Sequence, residues 1–392
     1  MSSHHLPSTD LYHIDELLTD EERLVQETVR RFVNDEFIPV VQEHFQQGTF
    51  PMELIKPLGK LGLLGMHLSE YGCAGASAVA YGIACEELEA GDSGLRSFVS
   101  VQGSLAMFPI ATYGSIEQRE QWLPEMAQGN IVGCFGLTEP DAGSDPGSMQ
   151  TTARKDGKDW ILNGTKMWIT NATIADIAVV WARTEDSGIR GFIVERGMRG
   201  LSTPPVPEKL SLRASSTGAL IMDDLRVGPE SILPLSHGLR APLSCLSEAR
   251  YGIAWGVLGA ARSCFECARE YALSRTVFGS PLASKQLTQE KLADMATRLV
   301  QGRLLAHRLG TLKDDGEVEP FQVSLAKRAN VRSAIDIARE ARTILGANGV
   351  TLEYPVFRHM VNLESVLTYE GTEEVHTLIL GNTLTGTSAF SS

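Results

Sequence analysis

Positive charge is scarce in this chain. Its 392 residues carry 35 Lys and Arg against 48 Asp and Glu, a formal net charge of −13. That balance opposes general nucleic-acid binding, which needs cations to neutralise phosphates, but leaves room for a local basic pocket. Long apolar runs are missing too: none approaches the ~20 residues of a membrane-spanning helix. The first ten residues, Met1 to Asp10, hold neither an apolar core nor an arginine, so no secretory or transit peptide is expected there. The expected location is cytoplasmic and bacterial, with a mature mitochondrial matrix form as the alternative. The six cysteines do not make a secreted disulfide framework. Cys264-Phe-Glu-Cys267 has the C-x-x-C spacing of zinc or redox sites, but no second pair or His cluster completes four ligands. The pair also lies inside a helical pattern, so buried helical thiols and no metal are expected. There is no internal repeat, no low-complexity tract and no strand–GxGxxG–helix unit, which excludes a Rossmann site.

What is present falls into three segments. Residues 1–130 read as an N-terminal α-helical domain. Asp20-Glu-Glu opens a run in which Leu24/Val25, Thr28/Val29 and Phe32/Val33 recur every four residues. Glycines from Gly62 to Gly75 interrupt it; helical spacing resumes over Val79–Leu88 and Ser97–Tyr113, and Ser115 caps a helix ending near Gly129. Residues 131–238 read as a middle β domain, a sandwich or barrel of short strands including 160–170, 177–183, 191–195 and 218–222. Residues 239–392 read as a C-terminal α-helical bundle, with helical stretches over 251–273, 286–309, 320–345 and about 372–380. The fold class is therefore α+β with helices and strands segregated.

Chemistry could sit at several places. Glu370, in Thr368-Tyr-Glu-Gly-Thr372, follows the apolar Leu363, Val366 and Leu367, and Gly371 allows close backbone approach to a ligand. A carboxylate in such a setting could act as a general base, and the backbone N–H groups of this segment could bind an enolate oxygen. The blander alternative, favoured by the local sequence alone, is a solvated acid ahead of an N-cap at Thr372. Phe135 to Asp145 begins as a strand end and becomes a Pro/Gly loop; its N–H groups and Thr138 could meet the polar edge of a flat ring, with Ser144 near a phosphate or pantetheine. An ordinary polar loop is the alternative, and the second polar-aromatic edge, Trp168-Ile-Thr170, favours the ligand. Arg96 could hold a carboxylate if it sits between apolar helices; sequence alone favours a surface ion pair with Glu89, about two turns earlier. Arg250 and Arg275 could contact a thioester and a pyrophosphate, or merely cap helix C-termini.

Taken together, these residues resemble the acyl-CoA dehydrogenase family, and within it the glutaryl-CoA subfamily. The resemblance runs from about residue 11 to 390, through Tyr71-Gly-Cys-Ala-Gly75, Asp92-Ser-Gly94, Arg96-Ser97, Phe135–Asp145, Lys166-Met-Trp-Ile-Thr-Asn171, Leu212-Arg-Ala-Ser215, Ala249–Gly256, Lys291-Leu-Ala-Asp294 and Tyr369-Glu-Gly-Thr372. It implies FAD as cofactor, a homotetramer built as a dimer of dimers, and electron-transfer flavoprotein as partner. It implies that Phe135, Leu137, Thr138, Trp168 and Thr170 contact the flavin and that Thr372 touches the cofactor too. Arg275, Phe278, Gln286, Leu345, Gly346 and Ala347 would hold the adenosine diphosphate part, and Ser144 and Arg250 would lie along the CoA thioester. Some family members carry the base on the helix that here holds Arg250, at a position matching Ala249; Glu248 is rotated about 100° from it. Glu370 is therefore the implied base, with Tyr369 and Gly371 shaping the chamber. Its N–H and a ribityl hydroxyl of the cofactor would serve as the oxyanion donors. Arg96, assisted by Ser97 and Glu89, would bind a distal carboxylate. The implied reaction is dehydrogenation of glutaryl-CoA with decarboxylation to crotonyl-CoA and CO2. The alternatives are a non-decarboxylating dehydrogenase of another carboxylated or short-chain thioester, and a flavin-bound scaffold with little turnover.

Overall fold

The computed structural model describes residues 9–185 and 188–390. Residues 1–8, on which most of the targeting-peptide expectation rests, lie outside the described residues. The helices are α1 (Asp20–Phe32), α2 (Ile38–Gln47), α3 (Ile55–Lys60), α4 (Ala78–Gly91), α5 (Ser93–Ser100), α6 (Phe108–Tyr113), α7 (Ile116–Ala127), α8 (Arg240–Ser274), α9 (Gln286–Asp314), α10 (Pro320–Leu345), α11 (Pro355–Thr368) and α12 (Glu373–Thr385). The strands are β1 (Gly133–Gly136), β2 (Thr152–Asp156), β3 (Asp159–Thr170), β4 (Ile177–Thr184), β5 (Gly188–Glu195), β6 (Leu201–Ser202), β7 (Thr217–Val227), β8 (Thr276–Val277) and β9 (Ser280–Pro281). No helix among the described residues is long and apolar enough to cross a membrane. The chain forms two compact units, one drawn from Met1–Gln42, Ala78–Ser93 and Tyr251–Ser392, the other from Glu43–Ser77 and Gly94–Arg250.

In the first unit, α4 is buried along nearly its whole length, its three glutamates included. The α8 backbone approaches it so closely that a Cβ on Gly259 would stand 1.8 Å from the Glu86 carbonyl oxygen. The same helix carries Glu86 and Glu87, both buried. Glu87 accepts from Arg30 at 2.7 and 3.0 Å and from Arg262 at 2.6 Å. Burial pushes its carboxyl up, but Arg262 and Arg30 more than offset this and hold it below the usual carboxylate range. Arg303 reaches Asp15 at 2.7 Å and Glu86 at 3.4 Å, tying the segment before α1 to α9. The apolar face expected for α1 is displaced: Leu24 is 62% exposed, while Glu22 and Gln26 are buried with Val29 and Phe32. Glu22 is drawn in by a capping box with Thr19, the N-cap, and Gln26 turns toward Asp15.

Two further helices outrun the sequence pattern. Helix α8 begins already at Arg240; Ala241, Cys245 and Ala249, spaced by four, are buried there, with Pro242 beside the first. Helix α12 continues to Thr385 and stops at Gly386, whose φ of 69° provides the left-handed C-cap. Cys264 and Cys267 lie inside α8 as free thiols, and burial pushes Cys267 up to about 11 and Cys264 higher still.

In the second unit, the strands β1 to β7 form one hydrogen-bonded sheet in the order β1-β4-β2-β3-β7-β6, with β5 also on β4. β4 pairs antiparallel with β5 over its full length and parallel with β1 and β2 at opposite ends. Its residues Val179, Val180 and Trp181 are wholly buried. The helical stretch expected over Ser97–Tyr113 is interrupted by a π-helical segment, Val101–Met107, which sits against β1. Gln102 in that segment is buried; its amide donates to the Met126 and Ile131 carbonyls and accepts from Gly133 N–H at 2.8 Å. One side chain thus satisfies three backbone groups where helix gives way to sheet.

Candidate active site

The segment containing Glu370 is set by its flanking helices in the first unit. α11 ends at Thr368, and Thr372 starts α12 by accepting a hydrogen bond from Val375 N–H. Between them Glu370 has φ 51° and Gly371 φ 97°, two successive left-handed residues. That conformation costs little for glycine, but it strains Glu370, and such strain persists only where the surroundings enforce it. Lys327 on α10, only 1% exposed, grips this turn: its Nζ donates to the carbonyls of Tyr369 and Gly371, each at 2.7 Å. Its ammonium also lies 5.9 Å from the Tyr369 ring centroid. Thr372 is the N-cap that the blander alternative required, but Glu373 and Glu374 fill the first turn of α12 and Glu370 stands outside it. Arg332 and Arg328 pair with Glu373, and Glu374 is held below its usual range by its own backbone amide and Thr372. Glu370 itself is half-buried, with Oε2 shielded from solvent.

The same unit anchors α11 from below. Asp92 accepts from Arg358 Nη1 and from Asn362 at 2.8 Å, and all three are buried. His359 is buried beside them; burial first, then the Arg358 charge, keeps its imidazole neutral. Glu89 is 0% exposed and accepts from Ser93 at 2.8 Å. The hairpin β8–β9 carries Arg275 and, at its tip, Phe278, which is 100% exposed with φ 48°. Gln286, Gly346 and Ala347 are exposed, and Leu345 is buried.

In the second unit the two expected polar-aromatic edges meet. β1 runs out through Phe135 and Leu137, both buried, to the half-buried Thr138, whose carbonyl accepts from Met167 N–H at 2.9 Å. The β3–β7 register shifts between Lys166 and Ile169, which takes Met167 and Trp168 out of the ladder. Trp168 has φ 62° and is 60% exposed, and Thr170 lies two residues on. Beneath this edge, Lys166 donates to Glu139 at 2.7 Å and to the Leu137 carbonyl at 3.1 Å. Burial lowers Lys166 to about 8 even though Glu139 opposes the shift. Burial also raises Glu139, and Lys166 with the Thr151 and Gln150 amides brings it below its usual range. Ser144 is exposed on the loop that follows, and Arg250 is half-buried near the middle of α8. Neither Arg250 nor Glu248 ends a helix, so the C-cap reading of Arg250 is wrong; Arg275 does follow the α8 C-terminus, its N–H bonded to the Tyr271 carbonyl.

Arg96 is 1% exposed on α5, and Ser97 beside it is buried. With Glu89 buried too, the surface ion pair that the local sequence favoured is excluded: neither side chain is at the surface. Two side chains that hold the backbone of the candidate site were not singled out from the sequence, Lys327 and Glu139. Lys327 had a signal, since it occupies a core position of α10 among Val323, Ala326, Asn330 and Val331, all buried.

Three family models match the chain: "Acyl-CoA dehydrogenase, N-terminal domain" over residues 19–130, the corresponding middle domain over 134–225 and the C-terminal domain over 236–385. The short-chain specific acyl-CoA dehydrogenase of Homo sapiens mitochondria is 39% identical over 373 residues, covering 94% of this chain and 90% of that protein. The crystal structure of a glutaryl-CoA dehydrogenase from Mycobacterium smegmatis in complex with FADH2 is similar with TM-score 0.96 and 57% identity, covering 98% of this chain and 99% of the other. Butyryl-CoA dehydrogenase from Megasphaera elsdenii gives TM-score 0.90 and 34% identity, covering 94% and 98%.

Proposed function

The chain belongs to the acyl-CoA dehydrogenase family, and on that premise we propose that it oxidises glutaryl-CoA and releases crotonyl-CoA and CO2. It has the family's three-domain fold, and the boundaries we propose are 1–130, 131–238 and 239–392. It is an FAD-dependent enzyme, and its residues suit that cofactor. A bulged strand displays Trp168 in a left-handed conformation beside the end of β1, and a fully exposed Phe278 caps a hairpin that also carries Arg275. A flat heterocycle and a diphosphate would use such groups. Phe135, Leu137, Thr138, Trp168, Thr170 and Thr372 would hold the ring end, and Arg275, Phe278, Gln286 and Leu345–Ala347 the adenosine diphosphate. Bound FAD supplies the acceptor for the hydride that leaves the β-carbon.

The chain's own part is acid–base and electrostatic. Glu370 removes the α-proton, and its N–H donates to the thioester oxygen as enolate charge develops. Ser144 and Arg250 lie along the thioester arm. Arg96, with Ser97 and Glu89 supporting that end, holds the distal carboxylate. After oxidation the bond to that carboxylate breaks, its electrons pass into the conjugated thioester, CO2 departs, and protonated Glu370 returns its proton to the far carbon. Electron-transfer flavoprotein then takes the electrons. A homotetramer is proposed on the exposure of Phe278 and Leu287, which a neighbouring subunit would cover.

The observation that supports the acyl assignment is the burial of Arg96, 1% exposed: a guanidinium at that depth would suit a bidentate contact with the distal carboxylate. The 57% identity to a glutaryl-CoA dehydrogenase supports the same choice. Mass spectrometry of the thioester formed from glutaryl-CoA and an artificial electron acceptor tests it. Crotonyl-CoA with CO2 is expected. Glutaconyl-CoA would replace this reading with a non-decarboxylating dehydrogenase, and unchanged glutaryl-CoA would remove the substrate assignment.

A further inference from the structure

We propose that Lys327 is a positioning residue for catalysis: by gripping the carbonyls on both sides of Glu370 it aims the Glu370 N–H away from α10 and strengthens it as an oxyanion donor. The inference rests on Glu370 lying at the reacting thioester. Three observations carry it. Lys327 Nζ sits 2.7 Å from both the Tyr369 and the Gly371 carbonyl oxygen. The chain between them is in a left-handed turn, with φ 51° at Glu370 and 97° at Gly371. Lys327 is 1% exposed, so its charge is weakly screened.

The geometry has a direct electrostatic consequence. The peptide bonds here are trans, and in a trans peptide the C=O and N–H of one unit point in opposite directions. The Tyr369 carbonyl shares its peptide unit with the Glu370 N–H, and the Gly371 carbonyl shares its unit with the Thr372 N–H. Fixing both carbonyls on one ammonium therefore turns both N–H groups away from α10. A cation on the carbonyl oxygen also withdraws electron density along the amide, so the N–H on the same unit becomes a better donor to a developing oxyanion. The lysine supplies two of its three N–H groups to this task. A residue that only packed the core would need neither the charge nor the pair of equal contacts.

The test compares two ligands on purified, FAD-loaded protein. Acetoacetyl-CoA, a β-ketothioester with an acidic α-proton, is the enolate-forming ligand, and crotonyl-CoA is a neutral thioester; both are titrated against the flavin absorbance. Lys327→Met is expected to weaken the enolate complex by at least ~30-fold and to lower kcat similarly, in line with loss of an oxyanion donor. The crotonyl-CoA Kd and the FAD content should change by less than about threefold, and KM should change little. Lys327→Gln, which keeps one donor, should fall between. Equal weakening of both ligands, or no weakening of either, would overturn the proposal. If Lys327→Met does not fold, the same enolate-to-neutral ratio in Lys327→Gln decides the matter. Normal flavin reduction by substrate in Glu370→Gln would remove Glu370 as base, whereas the ligand ratio compares an anionic with a neutral ligand in the Lys327 variants while Glu370 is kept, so the two failures separate.

Discussion

Lys166 and Glu139 form a buried ion pair, Nζ to Oε1 2.7 Å, where β1 runs out and β3 bulges. The pair fastens the two backbone edges that present Thr138 and Trp168. Glu139 also accepts from the Gln150 and Thr151 amides, so the loop after β1 is fixed at both ends of one carboxylate.

Breaking that pair from one side should cost far more than removing it. Lys166→Met leaves Glu139 buried with its amide donors but without its cation, and should lower stability by about 3 kcal/mol. The double variant with Glu139→Gln should recover part of that loss. Chemical denaturation of the four species in a double-mutant cycle measures the coupling; additive losses would mean that the pair is not a unit. The sign of the pH effect is fixed as well. Lys166 has a folded value near 8, below its ordinary 10.5. Between those values the unfolded chain holds a proton that the folded chain has released, so this lysine adds stability as pH rises. The gap between wild type and Lys166→Met should therefore widen across that window.

Acid should attack the first unit through α4. Glu87 is held below the usual carboxylate range by Arg262 and Arg30. A depressed carboxyl stabilises the fold above its unfolded pKa, roughly 4.3, and that contribution is lost as pH falls through the folded value. Glu87→Gln should thus show a lower Tm at neutral pH and a shallower decline below about pH 4.5. Thermal melts of both proteins from pH 3 to pH 7 measure it, and parallel curves would contradict the assignment.

The sequence carried the helices and strands well because their signals are local. Ser115 does cap α7, and α10 runs from Pro320 to Leu345 as expected, with Gly346 following it. It failed where a tertiary partner decided the outcome. Leu24 has the right spacing to be buried, yet Glu22 takes the inner face because a capping box draws it in. The π-helical turn at Val101–Met107 has no sequence mark beyond Gln102, whose partners lie on α7, β1 and the segment between them. Glu370 was legible as a residue, but its left-handed backbone was not, since the group that grips it is Lys327, distant in the chain. The same holds for Arg96: the local sequence around it reads as surface, and only the packing of α5 buries it.

Discrimination between acyl chains should reside in Arg96. Arg96→Ala should reduce kcat/KM for glutaryl-CoA by roughly 10- to 100-fold more than for butyryl-CoA, the value of a charge-assisted, bidentate contact. The ratio of the two substrates is the quantity to read, because a partly unfolded preparation lowers both equally. Equal losses would show that Arg96 supports the fold without touching the acyl chain.

The assignment of Glu370 makes the sharpest demand. Its backbone is held by Lys327 and its Oε2 is shielded from solvent, so replacing the carboxylate by an amide of the same shape should leave the turn, and the yellow colour of bound FAD, intact. What Glu370→Gln removes is the group that can accept a proton. Anaerobic mixing with glutaryl-CoA should then bleach the flavin at least ~100-fold more slowly than in wild type, the usual contribution of a positioned general base. Glu248 provides the internal control. It lies in α8, one residue from Ala249, the alternative base position that the family resemblance implies, and Glu248→Gln should reduce at the wild-type rate. If instead Glu248→Gln were the slow variant and Glu370→Gln the normal one, the base would belong to α8, and the left-handed turn at Glu370 would serve oxyanion binding alone.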